Sequence, residues 1–113
     1  MARPSLTSDD APAALVDAVA TLGANIATAR RRRGLRQVDL AEKAGIARGT
    51  LIRVEAGELA TGIAAYAAAL WAMGLLDDLA DLADPAHDEV GLTLEAARAG
   101  ERVRVDGGLS DDF

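Results

Sequence analysis

The chain has 113 residues, half of them apolar but only three aromatic (Tyr66, Trp71 and Phe113), no cysteine, and a formal net charge of −6. That length carries one compact domain with a real core and excludes two large ones. The absence of cysteine excludes disulfides and thiolate metal sites.

In chain order, residues 1–9 contain Pro4, Ser5 and Ser8 and read as a flexible tail. Asp9 or Asp10 is placed to cap a first helix that has Pro12 in its first turn. Leu15, Val19, Leu22 and Ile26 then recur at spacings of four, three and four, which is one helical stripe. This helix is expected to run to about Arg33 and to stop at Gly34. "QVDLAEKAG" predicts a second helix of two turns, with Val38, Leu40, Ala41 and Ala44 as its apolar positions and Gly45 as its terminator. "IARGTLIRVEAG" predicts a third, with Ile46 entering the core, Leu51, Ile52 and Val54 continuing it, and Gly57 ending it. A fourth covers about residues 61–73, with Thr61 as its N-cap and Gly74 as its breaker. "LLDDLADLAD" predicts a fifth short helix that ends before Pro85.

Beyond Pro85 the pattern weakens. Residues 93–99 fit one helix, "ERVRV" alternates in the manner of a short β-strand with "DGG" as its turn, and the last residues read as disordered. No run of about 18 uninterrupted apolar residues exists, so no membrane span is expected. The N-terminus lacks the apolar core of a secretory signal. The expectation is thus an all-α chain with a five-helix domain at residues 10–83. Residues 84–113 form a C-terminal extension that either makes partner or dimer contacts or is disordered.

The charge is unevenly placed. Residues 22–57 carry eight basic side chains against three acidic ones, whereas residues 58–113 carry three basic against twelve acidic. An acidic total therefore coexists with a basic middle.

That middle holds the informative pattern, "QVDLAEKAGIARGTLIRVEA" at residues 37–56. Two short helices crossing through a tight turn need a small residue at the crossing, here Ala41. They also need a residue tolerating positive φ, here Gly45, and an anchor after it, here Ile46. Leu51 and Val54 face the second helix inward, and Arg48, Gly49, Thr50 and Arg53 face away from the core.

These residues resemble the lambda-repressor-like (XRE-type) helix-turn-helix family. The resemblance covers about residues 22–79 and includes "LGANIATARRRRGL" before the motif and "GIAAYAAALWAMGL" after it. It implies a lambda-repressor-like DNA-binding domain whose third helix enters the major groove of double-stranded DNA. It places Arg48 and Gly49 at base-reading positions, with Thr50 and Arg53 beside them, and gives Gln37 a backbone phosphate. Arginine chemistry agrees, since a guanidinium can donate twice to guanine. The resemblance also pairs Arg30 with Glu55 as a structural tie, not a DNA contact. Two positions depart from the family pattern. Where it caps the second and third helices with Ser or Thr, this chain has Arg36 and Ala47, and Ala47 removes one hydrogen bond to DNA.

The remaining candidates carry two readings each. Arg31, Arg32 and Arg33 are favourable cations at a helix C-terminus, and Arg33 with Arg36 is also placed to grip phosphate. Leu70, Trp71, Met73, Leu75, Leu76 and Leu79 are either core or a homodimer face, and Val103 and Val105 would join that interface if the strand pairs with its twin. His87 has no second ligand at metal spacing and reads as a surface residue. Asp77, Asp78, Asp81, Asp84 and Asp88 lack the glycine and spacing of a calcium loop and read as a solvated face. No catalytic constellation is visible, so no enzyme, metal or cofactor is expected.

The first functional reading is a homodimeric repressor on a palindromic operator, with half-sites roughly 34 Å apart, acting in the cytoplasm on the nucleoid. Residues 75–105 further resemble the region after the DNA-binding domain in HipB-type antitoxins, whose partner is a HipA-type serine/threonine kinase toxin. That implies a toxin–antitoxin pair and autorepression of its operon. The alternatives are a stand-alone XRE-type regulator and a helical interaction module that does not bind DNA.

Overall fold

A computed structural model describes residue 7 and residues 9–110, with side chains up to residue 104. The rest of the expected tail, the last three residues and the side chain of Val105 lie outside the described residues. The fold is all-α, with no strand among the described residues. Among the described residues six helices follow one another: α1 (Ala13–Arg32), α2 (Gln37–Ala44), α3 (Arg48–Glu55), α4 (Ile63–Ala72), α5 (Asp77–Ala80) and α6 (Glu89–Ser110), with a 3-10 turn at Pro85–His87 before α6. Contacts divide the chain into one unit that ends at Leu79 and a second that begins at Ala80.

In the first unit α3 packs against α1, α2 and α4, and α4 against α1 and α2. The shared core is Ile26, Leu40, Ala41, Leu51, Val54, Tyr66, Ala69 and Met73, with Val19, Leu22, Leu35, Ile46, Leu70 and Leu75 packed around it. Ile26, Leu40, Leu51 and Val54 are fully buried, each worth about 1.5–3 kcal/mol of transfer free energy. Tyr66 is tolerated inside because its hydroxyl donates to the Glu58 carbonyl at 2.8 Å. Its removal from water, and then the nearby Glu58 charge, raise its pKa.

One device ends each of α1 to α4. After α2, Gly45 takes a left-handed φ of 72°. Its N–H reaches the Glu42 carbonyl at 3.2 Å, and the Ile46 N–H reaches Ala41 at 3.0 Å. This is the Schellman pattern, which satisfies the orphan carbonyls of the last turn. The same two bonds recur at Gly34 with Leu35, at Gly57 with Glu58 and at Gly74 with Leu75.

The starts of α2 and α3 fall where expected, after Arg36 and Ala47, but those of α1 and α4 differ. No aspartate caps α1; Pro12 occupies its N-cap position and makes no side-chain bond. Asp10 instead accepts from the Thr7 hydroxyl at 3.1 Å. Gly62, not Thr61, is the N-cap of α4. The fifth helix contracts to four residues.

In the second unit the expected short helix and strand are replaced by one helix, α6. Its start is secured by Asp88, whose carboxylate accepts the Gly91 N–H at 3.0 Å. Just before it, Asp84 accepts from Ala86 at 2.9 Å. Once "LTLEAARA" is helical, each further residue adds a hydrogen bond without a new nucleus. Gly100 weakens that helix without ending it. A strand at "ERVRV" needs a ladder partner, and no strand is present among the described residues to supply one.

Candidate nucleic-acid interface

α2 and α3 are eight residues each, too short to be stable alone, so the core sets their geometry. Leu40 and Ala41 anchor α2, Leu51 and Val54 anchor α3, and the three residues 45–47 join them. With Leu51 and Val54 pointing inward, Arg48, Gly49 and Arg53 lie exposed along the outer side of α3, as does Ile52, which was expected in the core, and Thr50 is half-buried. A Cβ added at Gly49 would meet nothing within 4 Å, so this side of α3 is open to close approach. Ala47 is exposed at the N-cap of α3 and makes no capping bond.

The far end of α3 is tied down by a buried ion pair. Arg30, 8% exposed, donates from Nε to Glu55 Oε2 at 2.7 Å and from Nη2 to Glu55 Oε1 at 3.0 Å. Its remaining Nη1 donates to the Leu35 carbonyl at 2.9 Å. This bidentate fork joins α1 to α3 and to the α1–α2 turn. Gln37 adds a bond from its amide nitrogen to Glu55 Oε1 at 3.1 Å. Burial pushes the Glu55 carboxyl toward its neutral form, but the bonds from Arg30 and Gln37 and the charges of Arg30 and Arg31 outweigh it. The carboxyl is held below its usual range.

The other candidates are distributed unevenly. One amide proton of Gln37 is engaged with Glu55, which leaves the second for an external acceptor. Arg36 is not a free cation. Its backbone N–H donates to Asp39 at 2.9 Å, and its Nε and Nη2 donate to the same carboxylate at 3.0 Å each. The side-chain bonds from Arg36, then its backbone N–H, lower the Asp39 pKa. Arg53 lies 3.9 Å from Glu58, and Arg33 donates to the Ala29 carbonyl at 3.0 Å. Arg48 has no ion-pair partner among the described residues. Of the residues considered for a dimer face, Met73 points into the core, Leu70, Leu75, Leu76 and Leu79 are half-buried, and Trp71 is 61% exposed. Val103 lies on α6 and is exposed. His87 is exposed beside Asp84 at 3.4 Å.

Sequence reasoning missed three contributors. Asp39 is the third helical residue of α2, where a carboxylate reaches back to the N-cap N–H; the Arg36–Asp39 spacing carried that signal. Glu58 follows Gly57, and the Schellman turn lays it over Arg53. Gly23 sits inside α1, where a glycine usually marks a packing constraint. A Cβ there would collide with the Val54 carbonyl and come within 2.8 Å of the Gly57 nitrogen. α1 and the end of α3 therefore meet backbone to backbone.

A family model described as "Helix-turn-helix" matches residues 26–65. The match begins at Ile26 in α1, spans all of α2 and α3, and ends in the first turn of α4. No curated protein and no solved structure matches the chain. Among the described residues, no helix is long and apolar enough to cross a membrane.

Proposed function

We propose, from the helix-turn-helix match over residues 26–65, that the protein is a sequence-specific DNA-binding regulator that represses transcription as a homodimer on a palindromic operator. The observation that carries this reading is the outer side of α3. Arg48 and Arg53 are exposed there on either side of Thr50, while the opposite side is locked into the core and by Glu55. A rigid helix presenting two guanidiniums is suited to major-groove guanines, with Thr50 beside them for a base methyl or a phosphate. Arg33, and Gln37 through its second amide proton, are placed for phosphate contacts that set the register. Arg36 joins them only by sharing its guanidinium with Asp39. The homodimer contact is assigned to Trp71 and its half-buried neighbours Leu70, Leu75, Leu76 and Leu79.

The test is selection of duplexes from a random library, followed by gel shift on the enriched site. Enrichment of two half-sites about one helical turn apart is expected. Arg48→Ala and Arg53→Ala each weaken binding to that site by about tenfold to a hundredfold. Unchanged affinity in both variants defeats direct readout, and no enrichment at all favours a helical interaction module.

In its narrower form the protein is the antitoxin of a HipA-type kinase toxin. The resemblance of residues 75–105 and the acidic balance of residues 58–113 support this. A kinase-like reading frame beside the gene, whose product copurifies with the chain, is the expected finding. A kinase-free neighbourhood leaves a stand-alone regulator.

A further inference from the structure

We infer that α6 is a self-association helix that pairs antiparallel with α6 of a second copy of this chain. Leu92, Ala96, Ala99 and Val103 follow at spacings of four, three and four, so they form one stripe along the helix. All four are exposed, Leu92 by 49% and Val103 by 67%. The next positions of the same repeat are Glu89 and Asp106, so the stripe has four rungs and charged ends. A helix with Gly91 in its first turn and Gly100 in its interior that buries little is marginal in water, so covering the stripe stabilises it.

The flanking charges identify the occupant. Glu95 and Arg102 lie one heptad apart on the same side of the stripe, and Thr93 and Gly100 lie on the other. When two α6 helices are related by an antiparallel two-fold axis, Leu92 stacks on Val103 of the second copy and Ala96 on its Ala99. In that register each Glu95 faces Arg102 of the other copy, which makes two symmetric ion pairs. In a parallel pair each Glu95 would face Gly100 of the second copy, and no charge would be matched. Among the described residues neither Glu95 nor Arg102 has an ion-pair partner. The small side chains of Ala96 and Ala99 let the two helices approach closely at the centre. The opposite side of α6 offers Val90, Leu94 and Ala97, but Glu101 interrupts it and no complementary pair flanks it.

This pairing is separate from the dimer contact assigned to Trp71 and does not require DNA. Sedimentation equilibrium on the full chain carrying Trp71→Glu, which removes the other contact, tests it. That chain is expected to dimerise. In the same background Glu95→Arg alone and Arg102→Glu alone each weaken dimerisation by about tenfold, because two attractions become two repulsions. The double charge swap restores it, and an equimolar mixture of the two single swaps forms the heterodimer in preference to either homodimer. A monomeric Trp71→Glu chain, single swaps that dimerise as it does, or a double swap that fails to recover would each overturn the proposal.

Discussion

Three donors, Nε and Nη2 of Arg30 and the Gln37 amide, converge on the Glu55 carboxylate and hold the end of α3 in place. Because the folded Glu55 carboxyl is depressed below its unfolded value, its contribution to stability is complete above the ordinary carboxylate pKa of about 4.3. It is lost as the pH falls through the folded value. Glu55→Gln leaves Arg30 buried without its counter-charge and should lower stability near neutrality by about 3 kcal/mol. Urea unfolding over a pH series should show the gap between the two proteins closing on acidification; a gap that stays constant refutes the assignment. Glycine positions allow a second comparison. Alanine at Gly45 meets only the left-handed backbone, at about 1–2 kcal/mol. Alanine at Gly57 meets that and a Cβ 2.6 Å from the Ala20 Cα. Thermal melts should therefore place Gly57→Ala well below Gly45→Ala. Chain spacing alone marked both glycines as helix stops. It did not reveal that Gly57 is also pressed against α1, because that depends on which helix lies beside it.

At the scale of elements, α2 and α3 owe their existence to what they bury. Leu51 is fully buried where α3 meets its neighbours. Leu51→Ala should cost about 2–5 kcal/mol, read as a lower urea midpoint with the transition still cooperative. The stops of α1 to α4 were legible because each uses a glycine followed by a residue that folds back over the last turn. So were the starts of α2 and α3, with Arg36 and Ala47 at their cap positions, but those of α1 and α4 were not. A threonine at position 61 and aspartates at 9 and 10 are good caps in isolation, yet the backbone enters α4 at Gly62 and α1 at Pro12. Alternation at residues 101–105 suggested a strand, but continuing a helix already capped at Asp88 needs less ordering than founding a sheet.

Across the whole molecule the charge is segregated, basic in residues 22–57 and acidic in residues 58–113. If the basic segment holds DNA, affinity must fall steeply with salt as counterions are released. The logarithm of the binding constant should decline linearly with log salt concentration, and Arg33→Ala should reduce that slope by about 0.9. A flat response in fluorescence anisotropy would remove the arginine cluster from the interface. The sequence by itself determined the helical class, the four glycine stops, the inward positions of Leu51 and Val54, and hence which side of α3 faces out. These are local or periodic properties, carried by residues within a few turns of one another. The family resemblance already tied Arg30 to Glu55, and only the tertiary structure decided which of the other arginines are engaged. Arg36 is held by Asp39 and Arg53 lies near Glu58, whereas Arg48 is left open. That outcome depends on distances between side chains that chain turns and helix packing bring together, and a charge count along the chain contains no such distances.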